Sequence, residues 1–547
     1  MDSKTPFERY HLPALVLLGL VLFFHRLGIP GLMDPDEGRY AEIAREIRVL
    51  SDWLIPHLNF LPYLEKPPLT YWLTALSFGG LGYTEFAARL PAALSALGGV
   101  FLAYGLGRAL WGAKPAFCGA LVLATCGGYV VLGRILTLDM VLTLFLNLGI
   151  ALGYLALSRG REHLWPWAYL ALALGALTKG PVAVALPGII WGAWLLMTRR
   201  SLRPLVQPRC WLMFLAITLP WFIYATWRYP DFFRFFILEQ HLGRYLTPAI
   251  HGRPFYYYVP IFLGLMLPWT MLLPWTIGRT RGSRDPDRLF LLIWAAAVLL
   301  FFSLSRGKLP PYILPALLPL ALLVGQRLAG LGADAASGVS KERGLTLSLV
   351  VWALAGWAAL GLYLRPPDWL AELLARAPLL SPYLTIFLAI AALTPTLALI
   401  RRRLGVLFLG ALLMAALVPG FIEKISVTRS PRVVGEAVKS HWQPGAVLLG
   451  FNLYSQTVSF YSEQGFHLRT FGTELEFGRS LVPGNPWFFP HRDDMVALAQ
   501  SRNLSFFYLK ASGLSGLETI LGGRTVLLAR YKDCILVTYR GKMASSR

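Results

Sequence analysis

The fold class predicted by this chain is a polytopic α-helical membrane protein carrying a water-soluble α/β tail, and three observations predict it. Of 547 residues, 56% are hydrophobic and only 15% charged, with a mean hydropathy of +0.55. Apolar runs recur from residue 11 to residue 422, several meeting the roughly 20 residues that a hydrocarbon core about 30 Å thick requires. After Val427 the composition becomes that of an ordinary globular module.

Taken in order, the runs predict about thirteen spans, at 11–28, 86–107, 115–133, 138–157, 165–178, 181–198, 210–227, 257–278, 289–304, 311–326, 346–364, 379–400 and 404–422. The first lacks a small-residue cleavage site and reads as a retained anchor. A net charge of +22 would suit nucleic acid, but the basic residues punctuate the spans instead of gathering on one soluble module. With Lys4 and Arg9 cytoplasmic, alternate loops hold Arg108/Lys114, Arg159/Arg161, Arg199 to Arg209, Arg279 to Arg288, Lys341/Arg343 and Arg401 to Arg403, the positive-inside pattern. An odd number of spans then places the loop 29–85, the loop 228–258 and the tail outside. Residues 1–427 are expected to form the membrane domain and 428–547 a periplasmic α/β domain.

Within the first outside loop, Ile43, Ile47 and Leu50 recur at helical spacing among charges, predicting a short helix over 36–50 lying on the membrane. The apolar stretch 69–81 is too short to span and is expected to be interfacial or re-entrant. In the tail, 446–450, 504–509 and 535–539 read as strands and 493–501 as a helix. No nucleophile or metal cluster stands out there. Cys118, Cys126, Cys210 and Cys534 lack metal-ligand spacing and read as buried small residues. A disulfide between Cys118 and Cys126 would bridge roughly 12 Å of helix rise, against about 5.5 Å between bridged Cα atoms.

Chemistry concentrates where polar groups interrupt the apolar text. Asp34-Pro35-Asp36-Glu37-Gly38-Arg39-Tyr40 follows the first span, and carboxylates at a membrane surface are costly enough to suggest function. The bland alternative is a solvated first helical turn, which favours acids. Asp139 opens another apolar span, with Arg134 near enough in sequence to be a structural partner. In Tyr63-Leu64-Glu65-Lys66-Pro67-Pro68 the prolines stiffen the segment that aims Glu65 and Lys66. Lys66 suits a lipid phosphate; Glu65 suits a divalent ion or pairing with Lys66. His241 and His251 are candidate metal partners or simply polar surface. Arg306, Lys308 and Tyr312, with Lys179 nearby in topology, form a basic mouth suited to phosphate, of a substrate or of ordinary anionic lipid.

These motifs together resemble the bacterial 4-amino-4-deoxy-L-arabinose lipid A transferases, within the protein O-mannosyltransferase-like superfamily of the GT-C fold. The resemblance rests on Asp36-Glu37 after the first span, Glu65-Lys66-Pro67-Pro68, Asp139 after the third span, Glu239-Gln240-His241, and Gly307 to Pro315, and covers essentially the whole chain. Pro311 stands where the family often has threonine.

The resemblance implies a glycosyltransferase that moves the amino sugar from undecaprenyl phosphate to a lipid A phosphate at the periplasmic face of a Gram-negative inner membrane, a modification tied to polymyxin resistance. It implies Asp36 and Asp139 in the active-site cavity and Glu65 with His241 as ligands of a divalent metal (Zn or Mg/Mn). Lys66 would contact the carrier phosphate, with Glu37, Tyr40, Tyr63, Lys179, Arg244, Arg306, Lys308 and Tyr312 as further substrate contacts. The expected partners are lipid substrates and the membrane, with no nucleic acid, and the expected state is a monomer. The rivals are a sister enzyme that transfers to a protein or glycan hydroxyl, needing Asp36 or Asp139 as a base, and a lipid flippase that breaks no bond; the matching halves frequent in transporters are not seen.

Overall fold

A computed structural model describes residues 8–243, 253–278, 285–331, 342–375, 378–469, 473–489 and 491–541, the side chains of 241, 242, 373 and 473 excepted. The chain divides into two compact units. One comprises 1–27, 89–222 and 233–424; the other comprises 28–88, 223–232 and 425–547.

The first unit is helical. Eight helices in the described chain are long and apolar enough to cross a membrane: Glu85–Trp111, Leu138–Arg159, Arg203–Arg228, Pro286–Leu304, Pro310–Ala329, Arg343–Leu364, Pro378–Arg401 and Gly405–Arg429. Some of these reach into the second unit at their ends. A ninth is added if Phe255–Leu265 and Trp269–Gly278, bent by 106°, count as one span. The four other expected segments fall on shorter elements. Residues 11–28 fold as His11–Gly19 and a π-turn, and 115–133 as Ala113–Ala124 and Gly127–Leu132; the last two are Trp165–Lys179 and Val182–Met197. Close packing replaces hydrophobic drive between such helices. At Gly325 an added Cβ would lie 2.2 Å from the backbone nitrogen of Gly119, so Leu317–Ala329 and Ala113–Ala124 meet backbone to backbone.

The second unit is built around a mixed six-stranded sheet. Its strands are β3 (Val447–Phe451), β4 (Phe466–Arg469), β5 (Phe488–Phe489), β6 (Ser505–Lys510), β7 (Val526–Tyr531) and β8 (Cys534–Tyr539), in spatial order β5-β4-β3-β6-β8-β7. β3 to β6 pair in parallel, whereas β8 runs antiparallel to both β6 and β7. One face packs Val447, Leu449, Phe507, Leu509 and Val537 against Met495, Ala499, Leu517 and Leu521. All four cysteines are free thiols.

The same unit contains the helix Asp36–Leu50, the hairpin β1 (His57–Leu58) and β2 (Leu61–Pro62), and the helix Leu69–Leu81. The helix over 36–50 forms as expected, but it is not a surface helix. Residues 40–47 are buried throughout, including Glu42, Arg45 and Glu46; Arg45 donates two 2.7 Å bonds to Glu42, which lets charge enter the core. In the hairpin, Asn59 and Phe60 both take positive φ, 55° and 60°, as a two-residue type I′ turn demands. The Asn59 amide then completes the sheet. Its Nδ2 donates to the carbonyl of Phe466 at 3.0 Å and its Oδ1 accepts from the Phe466 amide at 2.7 Å, at the first residue of β4, before the short β5 begins to pair.

Candidate functional site

Two polar clusters arise from the residues singled out above, one in each unit. In the second unit the segment after Met33 separates its carboxylates by environment. Asp34 is half-buried and accepts from Ser455 Oγ at 2.7 Å, from the Thr457 amide at 3.2 Å and from Thr457 Oγ1. Burial nevertheless raises its pKa, opposed by those bonds and by Arg39. Glu37 is buried and accepts from the Met33 amide at 3.1 Å. Asp36 differs. In the first turn of its helix, with its side chain 53% exposed, it lies 3.4 Å from Arg39.

Arg39 is the hub of this cluster. Its Nε is 2.6 Å from Glu474 Oε1. Burial works against its charge, but Tyr63, Tyr40, Glu474 and Asp36 outweigh burial and raise its pKa. Glu474, on the helix Thr473–Leu481 of the tail, has its pKa pushed up to about 7, chiefly by burial, with Arg39 lowering it, Glu65 and Asp36 raising it, and a 2.7 Å bond from Gln456 lowering it. Tyr63 is buried, which raises its phenol; the Tyr40 and Tyr71 rings are 5.9 Å apart. Glu65 and Lys66 are half-buried just before the Pro68 cap of Leu69–Leu81.

The hairpin sets where that segment lies. Phe60 stacks on Trp487 at 4.8 Å between centroids, and an added Cβ at Gly478 would come within 2.4 Å of the Pro62 carbonyl oxygen. β2 therefore runs against the helix that carries Glu474, and Tyr63 to Lys66 continue from β2.

In the first unit, Asp139 stands in the first turn of Leu138–Arg159, with its side chain 11% exposed. Arg134 is not its partner: that guanidinium donates to the carbonyls of Leu22 at 2.8 Å and His25 at 2.6 Å. The partner is Lys179, whose Nζ donates to Asp139 Oδ1 at 2.5 Å and lies 4.0 Å from the centre of the Tyr312 ring. Lys179 ends Trp165–Lys179, where a cation complements the helix dipole. Leu138–Arg159 packs against Trp165–Lys179, bringing the first turn of one to the last turn of the other. Lys308 is buried and donates to the carbonyls of Ser305 and, at 3.2 Å, Arg253; burial lowers its pKa. Arg306 is exposed.

Arg244, His251 and the side chain of His241 lie outside the described residues. Glu65 is thus the one described member of the expected metal pair, an oxygen donor suited to a hard divalent ion. Among the described residues no group of three or more His, Cys, Asp and Glu side chains converges on a metal-sized site. Glu474 and Arg39 are the members of the acidic cluster that the sequence reading left out. Arg39 sat in plain view between Asp36 and Tyr40; Glu474 carried no local signal.

Residues 65–224 match the family model described as dolichyl-phosphate-mannose-protein mannosyltransferase. Named relatives are undecaprenyl phosphate-alpha-4-amino-4-deoxy-L-arabinose arabinosyl transferases. That of Pseudomonas aeruginosa is 34% identical over 425 residues, covering 70% of this chain and 75% of the relative; that of Pseudomonas paraeruginosa is 37% identical over 376 residues, covering 66% and 67%. The match to a Pseudomonas fluorescens relative, at 37% identity, spans 58% of that protein's length. Among solved structures, ArnT from Cupriavidus metallidurans bound to undecaprenyl phosphate aligns with a TM-score of 0.85 at 26% identity, over 98% of this chain and 99% of that one. An apo oligosaccharyltransferase from Archaeoglobus fulgidus, at 12% identity and a TM-score of 0.53, shares the fold. With two relatives matched over at least two thirds of their length, the chain belongs to the family of undecaprenyl phosphate-aminoarabinose arabinosyl transferases.

Proposed function

We propose that this protein transfers 4-amino-4-deoxy-L-arabinose from undecaprenyl phosphate to a phosphate of lipid A. The observation that carries the reading is the whole-chain likeness to a relative solved with undecaprenyl phosphate bound. The arrangement of charge suits it. Asp36 and Glu65 both act on Glu474, with Arg39 opposing them, and this gathering of carboxylates suits the cationic amine of the sugar. Lys66 and Lys179, with Arg244, are assigned to phosphate.

In this reaction an acceptor phosphate oxygen forms a bond to the anomeric carbon, the bond from that carbon to the carrier phosphate breaks, and its electron pair leaves with undecaprenyl phosphate. The nucleophile is already ionised near neutral pH, so removing a proton is not the main burden. Orientation and neutralisation of the departing phosphate are. Asp36 is assigned to the sugar, and Asp139 to holding the Lys179 ammonium toward the phosphate. A divalent ion, if held by Glu65 and His241, would supply further neutralisation of phosphate charge.

The finer reading includes thirteen spans in the inner membrane, the site and the domain 428–547 on the periplasmic side, and a monomer. The test is purified protein given undecaprenyl-phosphate aminoarabinose and lipid A, with mass spectrometry of both lipids. One pentosamine gained by lipid A for each free undecaprenyl phosphate supports the proposal. An intact donor, or sugar appearing only on a hydroxyl acceptor, overturns it.

A further inference from the structure

A cavity of about 580 Å³ at the end of the helix Pro286–Leu304 is lined by Arg253, Arg306, Lys308, Ser303 and Ser305, with no carboxylate among the described residues of its wall. Its construction is rigid where it matters. The Lys308 ammonium, on a side chain with only 3% of the residue exposed, ties Ser305 to Arg253 through their carbonyls, and the Arg253 amide donates to the Arg306 carbonyl at 3.3 Å. Three cations are thereby gathered, and among the described residues neither arginine has an acidic partner; Arg253 has only the Tyr257 ring, 5.7 Å away. Gathered cations without a counter-charge repel one another and favour an anion. Arginine further suits the geometry of a phosphate, which its planar fork meets with two parallel hydrogen bonds.

The remaining lining says what carries the anion. Leu304 is 65% exposed and Phe255 61% exposed, and Leu300, one turn below Leu304, is 55% exposed. An apolar ramp at the end of a membrane-length helix leads to the cationic wall. We infer that this cavity is a subsite for the phosphate head group of a lipid, its chain lying along Leu300 and Leu304. Both lipids of the proposed transfer carry such a head; the identity of the occupant rests on that reading, the phosphate chemistry does not.

The experiment measures binding to full-length protein in nanodiscs, with four probes: undecaprenyl phosphate, diphosphoryl lipid A, its dephosphorylated form and phosphatidylglycerol. The variants are Arg306→Gln, Arg253→Gln and the pair, each checked for an unchanged melting temperature, with Arg306→Lys as a charge-keeping control. The expected result is a roughly ten- to hundredfold loss of affinity for undecaprenyl phosphate or for diphosphoryl lipid A, partly restored in Arg306→Lys. No loss is expected for dephosphorylated lipid A. Loss confined to the former names the carrier, and loss confined to the latter the acceptor; either supports the subsite. Equal loss for phosphatidylglycerol supports the phosphate subsite but gives it to bulk phospholipid in place of the transfer's own lipids; no loss for any probe overturns it. Sugar transfer is assayed separately, so absent transfer with intact arginine-dependent binding defeats the proposed function and leaves this inference standing.

Discussion

Asp34 and Asp36 are separated by one proline and occupy opposite chemical situations. Asp34 is surrounded by donors from Ser455 and Thr457, whereas Asp36 is half exposed beside Arg39. The helical unit repeats the contrast. Asp287 is gripped on both oxygens, by Tyr154 at 2.5 Å and Arg159 at 2.6 Å; Asp139 receives Lys179 on one oxygen. What separates the members of each pair is how much of the carboxylate is already committed to the protein. A saturated carboxylate is a fastener, and one with remaining capacity can meet a ligand.

The largest effects belong to the open carboxylates. Asp36→Asn and Asp139→Asn are each expected to lower transfer by roughly a hundredfold or more, the range for a group acting on the reaction, with little change in melting temperature for the exposed Asp36 and a lower one for Asp139, whose loss takes a counter-charge from Lys179. Turnover near wild type in Asp36→Asn would reduce Asp36 to a helix-terminal charge and dissolve the contrast. Asp34→Asn should behave in reverse, costing about 1 to 3 kcal/mol of stability because an amide nitrogen faces donors, while folded protein keeps its turnover. Denaturant titration beside a rate assay decides it.

Glu474 sharpens the comparison because it lies between the extremes, half-buried and paired with one arginine. Its folded pKa, raised to about 7 from an ordinary 4.5, means that its neutral form is the one favoured by the fold. Its contribution to stability is therefore full below about pH 4.5 and is lost as pH rises through about 7. Glu474→Gln should flatten that dependence in melting curves. It should also weaken the amino-sugar donor about tenfold at pH 8 and less at pH 6, as expected for one charge-assisted contact; a donor affinity that does not change would remove Glu474 from the sugar site.

The smallest effect concerns Asn59, which touches no candidate ligand. Asn59→Asp should lower transfer a few-fold at pH 8, because a carboxylate repels the Phe466 carbonyl, and should recover relative to wild type toward pH 5. A protonated carboxyl can again donate to that carbonyl and accept from that amide. An unchanged ratio across pH would show that the turn, not the amide, fixes the segment.

Much of this was legible from local text. Long apolar runs announce helices because a bilayer admits little else, and β3, β6 and β8 show as short apolar segments. β7 was hidden because Val526 and Leu527 are 63% and 57% exposed and Arg530 interrupts the run, and two-residue β5 offers no pattern at all. Within the clusters, position along the chain misled where tertiary structure supplied the partner. Arg134 is five residues from Asp139 and goes elsewhere, while Lys179 arrives from forty residues on. Two consecutive helices packed antiparallel put the start of the first beside the end of the second. No such rule reaches Glu474, more than four hundred residues from Arg39.

The Asn59 amide standing in for a strand partner has a consequence for recombination within the family. A chain cut at residue 427 would leave Asp34 with three lost donors and the hairpin with no sheet edge to finish. Chimeras that exchange only the tail between relatives would pair one protein's Asn59 with another's β4, and their first loop would inherit a mismatched neighbour. Segments 28–88 and 425–547 are thus expected to be exchanged together, as parts of one heritable module that lie far apart in the gene.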